Sequence, residues 1–164
     1  MTLPPAADAM HQLDWFIGQW AVVSRYKKPD GDWLEAQLTA NHRWILGGHV
    51  IFEHFEGPVF GEPFEAWSLR KYNTQADHWE QRWVDTTPGG FADWTGAWDA
   101  DQQTFTGHPN RVMNEDGTLK DKAAREVFYE IAADHFLWKY ERTEDGGSTW
   151  QPVWTLDYTR TETP

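Results

Sequence analysis

The chain has 164 residues, no cysteine, twelve tryptophans and a formal net charge of −12. Its length suits one domain with a usable core, and the missing cysteines exclude disulfides, a thiol nucleophile and thiolate metal sites. The negative charge argues against nucleic acid and anionic membrane surfaces as partners, and no apolar run approaches membrane-spanning length.

The opening residues Met1 to Asp8 show neither the basic nor the apolar region of a secretory leader, so the cytoplasm is the expected compartment. Residues 6–17 read as a short helix, with Met10, Leu13 and Phe16 on one stripe and Gly18 just past its end. After Gly18 the period falls to two. Strands are predicted over 18–26, 33–46, 49–55, 64–72 and 79–85, separated by turn sequences such as Lys28-Pro29-Asp30-Gly31 and Gly47-Gly48. Further strands follow over 91–98, 103–107, 125–131, 136–142 and 149–160. The polar stretch 109–121 is the longest loop, and Glu144-Asp145-Gly146-Gly147 marks a hairpin.

About ten strands without intervening helices imply an antiparallel meander. Closure removes its two edges, so the expected fold is all-β: a single up-and-down barrel over 18–160, capped at one mouth by the N-terminal helix, forming one domain over 1–164. A barrel of this size is filled by side chains or holds a small ligand.

Four segments carry a resemblance. Leu13-Asp14-Trp15-Phe16-Ile17-Gly18-Gln19-Trp20 resembles the start of calycin-type barrels, where Gly-x-Trp follows a short helix and opens the first strand. With Arg43-Trp44-Ile45-Leu46-Gly47-Gly48, Trp83-Val84-Asp85-Thr86 and the run from Asp145 to Trp150 leading to Tyr158-x-Arg160, the chain resembles an uncharacterised bacterial family of lipocalin-like domains. That resemblance implies the barrel and a soluble protein, and it supplies no catalytic residues.

The tryptophans point to an aromatic interior. Trp79, Gln81, Trp83 and Asp85 share one face of their strand; His42 and Trp44 share another; Trp138 and Tyr140 a third; Trp150, Trp154, Leu156, Tyr158 and Arg160 a fourth. With these faces inward, a cavity is walled by indoles and fixed by a few polar groups, the profile of a small-molecule site. The candidate ligand-binding residues are Trp44, His54, Gln81, Trp83, Tyr129, Trp138, Tyr140, Trp154 and Tyr158. The alternative is that the rings simply pack on one another.

No metal or cofactor is expected. The seven histidines form no i, i+4 pair and no His-Glu-x-x-His motif. Nitrobindins, which share the general barrel type, need an axial histidine on a late strand. Residues 149–160 contain none, and His135 is the nearest late candidate. Serine elbows and phosphate-binding glycine loops are absent.

The leading reading is binding of a small apolar or aromatic ligand in the barrel. The alternative is a cofactor-independent isomerase, cyclase or hydrolase, with Asp85, His42 or His54 as acid–base group and a tyrosine as donor. Asp85 also reads as the cap of the turn Asp85-Thr86-Thr87-Pro88. A third reading is a packed barrel that acts through its surface, for instance as a homodimer.

Overall fold

The computed structural model describes residues 3–161. Ten antiparallel strands close into a barrel in which each pairs with its sequence neighbours and the first with the last. They are β1 (Gly18–Lys27), β2 (Trp33–Ile45), β3 (Val50–Val59), β4 (Glu62–Asn73), β5 (His78–Asp85), β6 (Ala92–Asp99), β7 (Thr104–Pro109), β8 (Ala123–Tyr129), β9 (His135–Thr143) and β10 (Gln151–Arg160). The all-β barrel expected from the period-two pattern is therefore the fold.

Alternation decides which side chains enter. In β2, Leu38, Ala40 and His42 are buried while Gln37, Thr39 and Asn41 are exposed. In β1, Trp20, Val22 and Ser24 point in and register opposite Ala40, Leu38 and Ala36 of β2. The face containing Trp150 is the exception. The register of β10 against β9 shifts between Pro152 and Trp154, so Trp150 leaves the line of Trp154, Leu156 and Tyr158. Its ring lies instead beneath Arg125, 4.1 Å from the guanidinium carbon.

One end is plugged. The N-terminal helix is a 3-10 helix over Asp8–Phe16, kinked at Leu13, and buries Met10, Leu13 and Phe16. These recur every third residue, which is the 3-10 period and keeps all three on one line. The plug is pinned to strand ends by Trp79 Nε1 donating to Gln12 Oε1 at 2.9 Å and by Trp20 Nε1 donating to the Phe16 carbonyl at 3.1 Å.

Arg160, at the end of β10, closes the seam. It donates to the carbonyls of Ala133 and Ile17, each at 2.7 Å, and of Trp15 at 3.2 Å. Gly18 leaves it room: its φ is +145°, and a Cβ there would fall 2.0 Å from Arg160 Nη1. This is the physical content of the Gly-x-Trp opening.

Candidate functional site

Halfway along the barrel the inward positions stop being apolar. β2 contributes His42, β3 Glu53, β4 Ser68 and Arg70, and β8 Glu126, none more than 4 % exposed. Arg70 donates from Nη1 to Glu126 Oε1 at 2.8 Å and from Nη2 to Glu126 Oε2 at 3.4 Å. Its Nη2 also lies 3.6 Å from Glu53 Oε2. Rings of Phe16 and Phe128 approach the guanidinium carbon at 5.3 and 5.1 Å from their centroids. Buried charges are tolerated when paired and hydrogen-bonded, and these carboxylates are: Ser68 donates to Glu53 Oε2 at 2.6 Å and Trp138 Nε1 to Glu126 Oε2 at 3.0 Å.

His42 is wedged between two acceptors. Its Nδ1 lies 2.9 Å from the Phe16 carbonyl, which can only accept, so Nδ1 carries a proton and donates. Its Nε2 lies 3.5 Å from Glu53 Oε1. Burial on its own raises the Glu53 pKa. The His42 imidazole, the Arg70 charge and the Ser68 hydroxyl outweigh it and bring the carboxyl to about 2. Burial and the Glu53 charge push the Tyr158 phenol well above its ordinary value, which leaves it a neutral donor.

This polar layer is the floor of a cavity of about 320 Å³ that opens away from the helical plug. The walls are rings: Phe55, Phe64, Trp83, Phe128, Trp138 and Trp154. The mouth is formed by Phe60 in the β3–β4 turn, Thr87 and Ala92 around the β5–β6 connection, and Arg111 after β7. Three lining residues have a buried polar atom without a hydrogen-bond partner among the described residues: Arg70 Nε, Gln81 Oε1 and Trp94 Nε1.

Of the residues read from the sequence as binding candidates, Gln81, Trp83, Trp138, Tyr140, Trp154 and Tyr158 line this cavity. Three lie elsewhere. Trp44 is half-buried and packs against the core without reaching the cavity wall. His54 follows the inward Glu53 and therefore points out, 3.0 Å from Glu65 Oε1 on the outer face. Tyr129 follows the inward Phe128, also points out, and has Lys139 Nζ 5.3 Å from its ring centroid.

The acid–base candidates are committed to structure. Asp85, on the cavity wall, accepts from Trp83 Nε1 at 2.7 Å, from the Thr87 amide at 2.8 Å and from the Thr87 hydroxyl. Partial burial raises its pKa, but the Thr87 and Trp83 hydrogen bonds outweigh that and hold it below the ordinary carboxylate value. It caps the turn. His42 is buried behind Glu53, and His54 is on the outer face with Glu65. His135, weighed only as a late-strand haem ligand, lies 2.8 Å from Asp157 Oδ1 in a half-exposed pair. Among the described residues no three His, Asp or Glu side chains converge on a point that suits a metal ion.

The family model "protein of unknown function (DUF1579)" matches residues 6–160. The chain belongs to that family. This agrees with the resemblance carried by Gly18-Gln19-Trp20 and Tyr158-x-Arg160. Two solved structures share the barrel across its length. An S-type phycobiliprotein lyase from Guillardia theta is 10 % identical with a TM-score of 0.60, over 96 % of this chain and 95 % of its own. The protein Rv2717c from M. tuberculosis is 16 % identical with a TM-score of 0.60, over 96 % of this chain and 99 % of its own. No match is found among curated proteins.

Sequence reasoning missed Arg70, Ser68, Glu126 and Trp94. A signal was present for the first two: Phe64, Ala66, Ser68 and Arg70 occupy alternate positions on one strand, so an inward Phe64 carries Arg70 in with it. The same alternation carries Glu126 in with Phe128 on β8, but nothing local pairs it with Arg70, 56 residues away in the chain.

Proposed function

We propose that the protein binds a small, flat, largely apolar molecule in the open half of its barrel. The observation that carries this reading is the ring-walled cavity of about 320 Å³, whose lining also includes the polar side chains of Arg70 and Gln81. A cavity of about 150 Å³ holds benzene, so this one suits about two fused rings. Mostly apolar walls with a few polar fixtures are what small-molecule sites present. The barrel shared with a phycobiliprotein lyase supports the reading at the level of fold.

The enzymatic alternative is weaker on the same geometry. A carboxylate held at about 2, as Glu53 is, is a poor base near neutral pH. Asp85 is likewise held low by the turn it caps.

The test has two parts. Native mass spectrometry of freshly purified protein looks for a retained occupant. Calorimetric titration with indole, a neutral two-ring probe, should give saturable binding with a negative heat-capacity change as apolar surface is buried. An unoccupied mass together with no heat from indole would count against a ligand cavity and for a barrel that acts through its surface.

A further inference from the structure

The outer face of the barrel carries an order of side chains that fits a second copy of itself. The outward positions of β4 are, in sequence, Glu65, Trp67, Leu69 and Lys71, all exposed: an acid, an aromatic ring, an aliphatic side chain and a base. Trp67 is 50 % and Leu69 46 % exposed. Neighbouring strands widen the apolar centre, since Phe52 of β3 stands opposite Leu69 and Val84 of β5 opposite Trp67. The indole is held in place: its Nε1 donates to Glu65 Oε1 at 3.1 Å, and its ring meets Phe52 edge-on at 5.5 Å. A fixed, exposed tryptophan among apolar neighbours is the kind of anchor on which protein interfaces turn.

Charge says what covers this face. The whole chain has a net charge of −12, yet here Arg43, Lys71 and Arg82 offset Glu56, Glu65 and Glu80, outward residues of the same four strands. The signs are also sorted along β4, with the base at one end of the apolar pair and the acid at the other. A two-fold axis running across the strands lays β4 antiparallel on its own copy. Glu65 then lies over the partner's Lys71, and Trp67 over the partner's Leu69. A two-fold along the strands would instead set Glu65 on Glu65 and Lys71 on Lys71, which like charges oppose. Lys71 is available for the contact, because its neighbour Glu80 is occupied by Asn73 and His78.

We propose that the protein forms a two-fold dimer through the outer face of β3, β4 and β5, with Glu65 paired to the partner's Lys71 and Trp67 packed on the partner's Leu69. Four outward rows on three or four strands cover roughly 500 Å² on each copy. That is the small end of specific interfaces, so the dimer should be weak, with a Kd of roughly micromolar order. It uses the faces turned away from the cavity and stands or falls independently of any ligand.

Sedimentation velocity of the natural protein should show monomer giving way to dimer as its concentration rises through the micromolar range. Glu65→Lys and Lys71→Glu should each weaken the dimer by about tenfold or more, because the two-fold makes each change count twice. Mixing the two variants should restore a dimer to within about threefold of the natural affinity, since each then supplies the charge the other lacks. Hydroxyl-radical labelling of Trp67 in the natural protein should fall as the dimer forms, a reading that needs no variant to fold. A natural protein that stays monomeric up to millimolar concentration would overturn the proposal and leave the face to a different protein. So would a dimer indifferent to both charge reversals, variants whose mixture stays monomeric, or Trp67 labelling that does not change on dimerisation.

Discussion

The Arg160 guanidinium sits over the Trp20 indole, its carbon 4.1 Å from the ring centroid. Because the same side chain donates to carbonyls of the helix and of the β8–β9 connection, one residue fastens the last strand to the first and both to the plug. The closed end is therefore fixed by a cation–π contact and charge-assisted hydrogen bonds. The open end is left to apolar walls.

Gly18 is the residue that makes this clamp feasible. An alanine there would bring Cβ to 2.0 Å from Arg160 Nη1, on a backbone with φ of +145°. Gly18→Ala should destabilise the protein by about 1–3 kcal/mol, the usual cost of a side chain in that region of φ. Urea unfolding reads it out. An unchanged midpoint would mean that Arg160 moves aside at no cost. Ligand binding at the far end should be unaffected in the folded protein.

Glu53 governs the acid limb of stability. Its carboxyl lies at about 2 in the folded chain against an ordinary 4.5. As pH falls, the unfolded chain therefore takes up the proton first. The stabilisation is complete above about 4.5 and is lost as pH drops toward about 2, and for a fully buried group it amounts to about 3 kcal/mol. Asp145 is also held at about 2, by Thr143 and Thr149, and titrates in the same window. Urea midpoints between pH 6 and pH 3 should fall steeply in the natural protein and more shallowly in Glu53→Gln. Parallel curves would show that Glu53 is not the group responsible.

The barrel was legible because its signal is local. Alternation such as Leu34, Ala36, Leu38 and Ala40, cut by turns every ten or so residues, fixes strand existence. The cavity residues were legible where an indole anchored the face, as at Gln81 beside Trp79 and Trp83. His54 and Tyr129 were misplaced for a physical reason: a strand has two faces, and a shift of one residue exchanges them. Nothing near His54 says that Phe55, not His54, points in. The buried ion cluster was legible only in part. Alternation with Phe64 carries Arg70 inward, but nothing local pairs it with Glu126, which barrel closure brings to it from β8.

Arg70 is the keystone of that cluster. Arg70→Met leaves Glu53 and Glu126 buried with their common cation gone, and removing one partner of a buried pair costs about 3–5 kcal/mol. Adding Glu126→Gln should recover part of the loss, because one uncompensated charge goes too. A double-mutant cycle by chemical denaturation measures the coupling. Purely additive losses would show that Arg70 and Glu126 do not depend on each other.

Ala92 offers the cleanest test of where a ligand enters. It stands opposite Trp83 at the start of β6 and lines the mouth of the cavity, half-buried. Ala92→Trp places an indole where the proposed ligand would pass, and the 320 Å³ space can take it without displacing the core. The floor, the helical plug and the Arg160 clamp lie away from it, so the melting temperature should stay within about 3 °C, equivalent to about 1 kcal/mol for a chain of this size. Binding of a two-ring probe should weaken by about tenfold or more as its site is filled. Trp67→Ala is the control: Trp67 is 50 % exposed on the outer face and should leave affinity unchanged. If Trp67→Ala abolished binding and Ala92→Trp did not, the site would lie on the outside of the barrel, beside Phe52 and Trp67, whose rings meet at 5.5 Å.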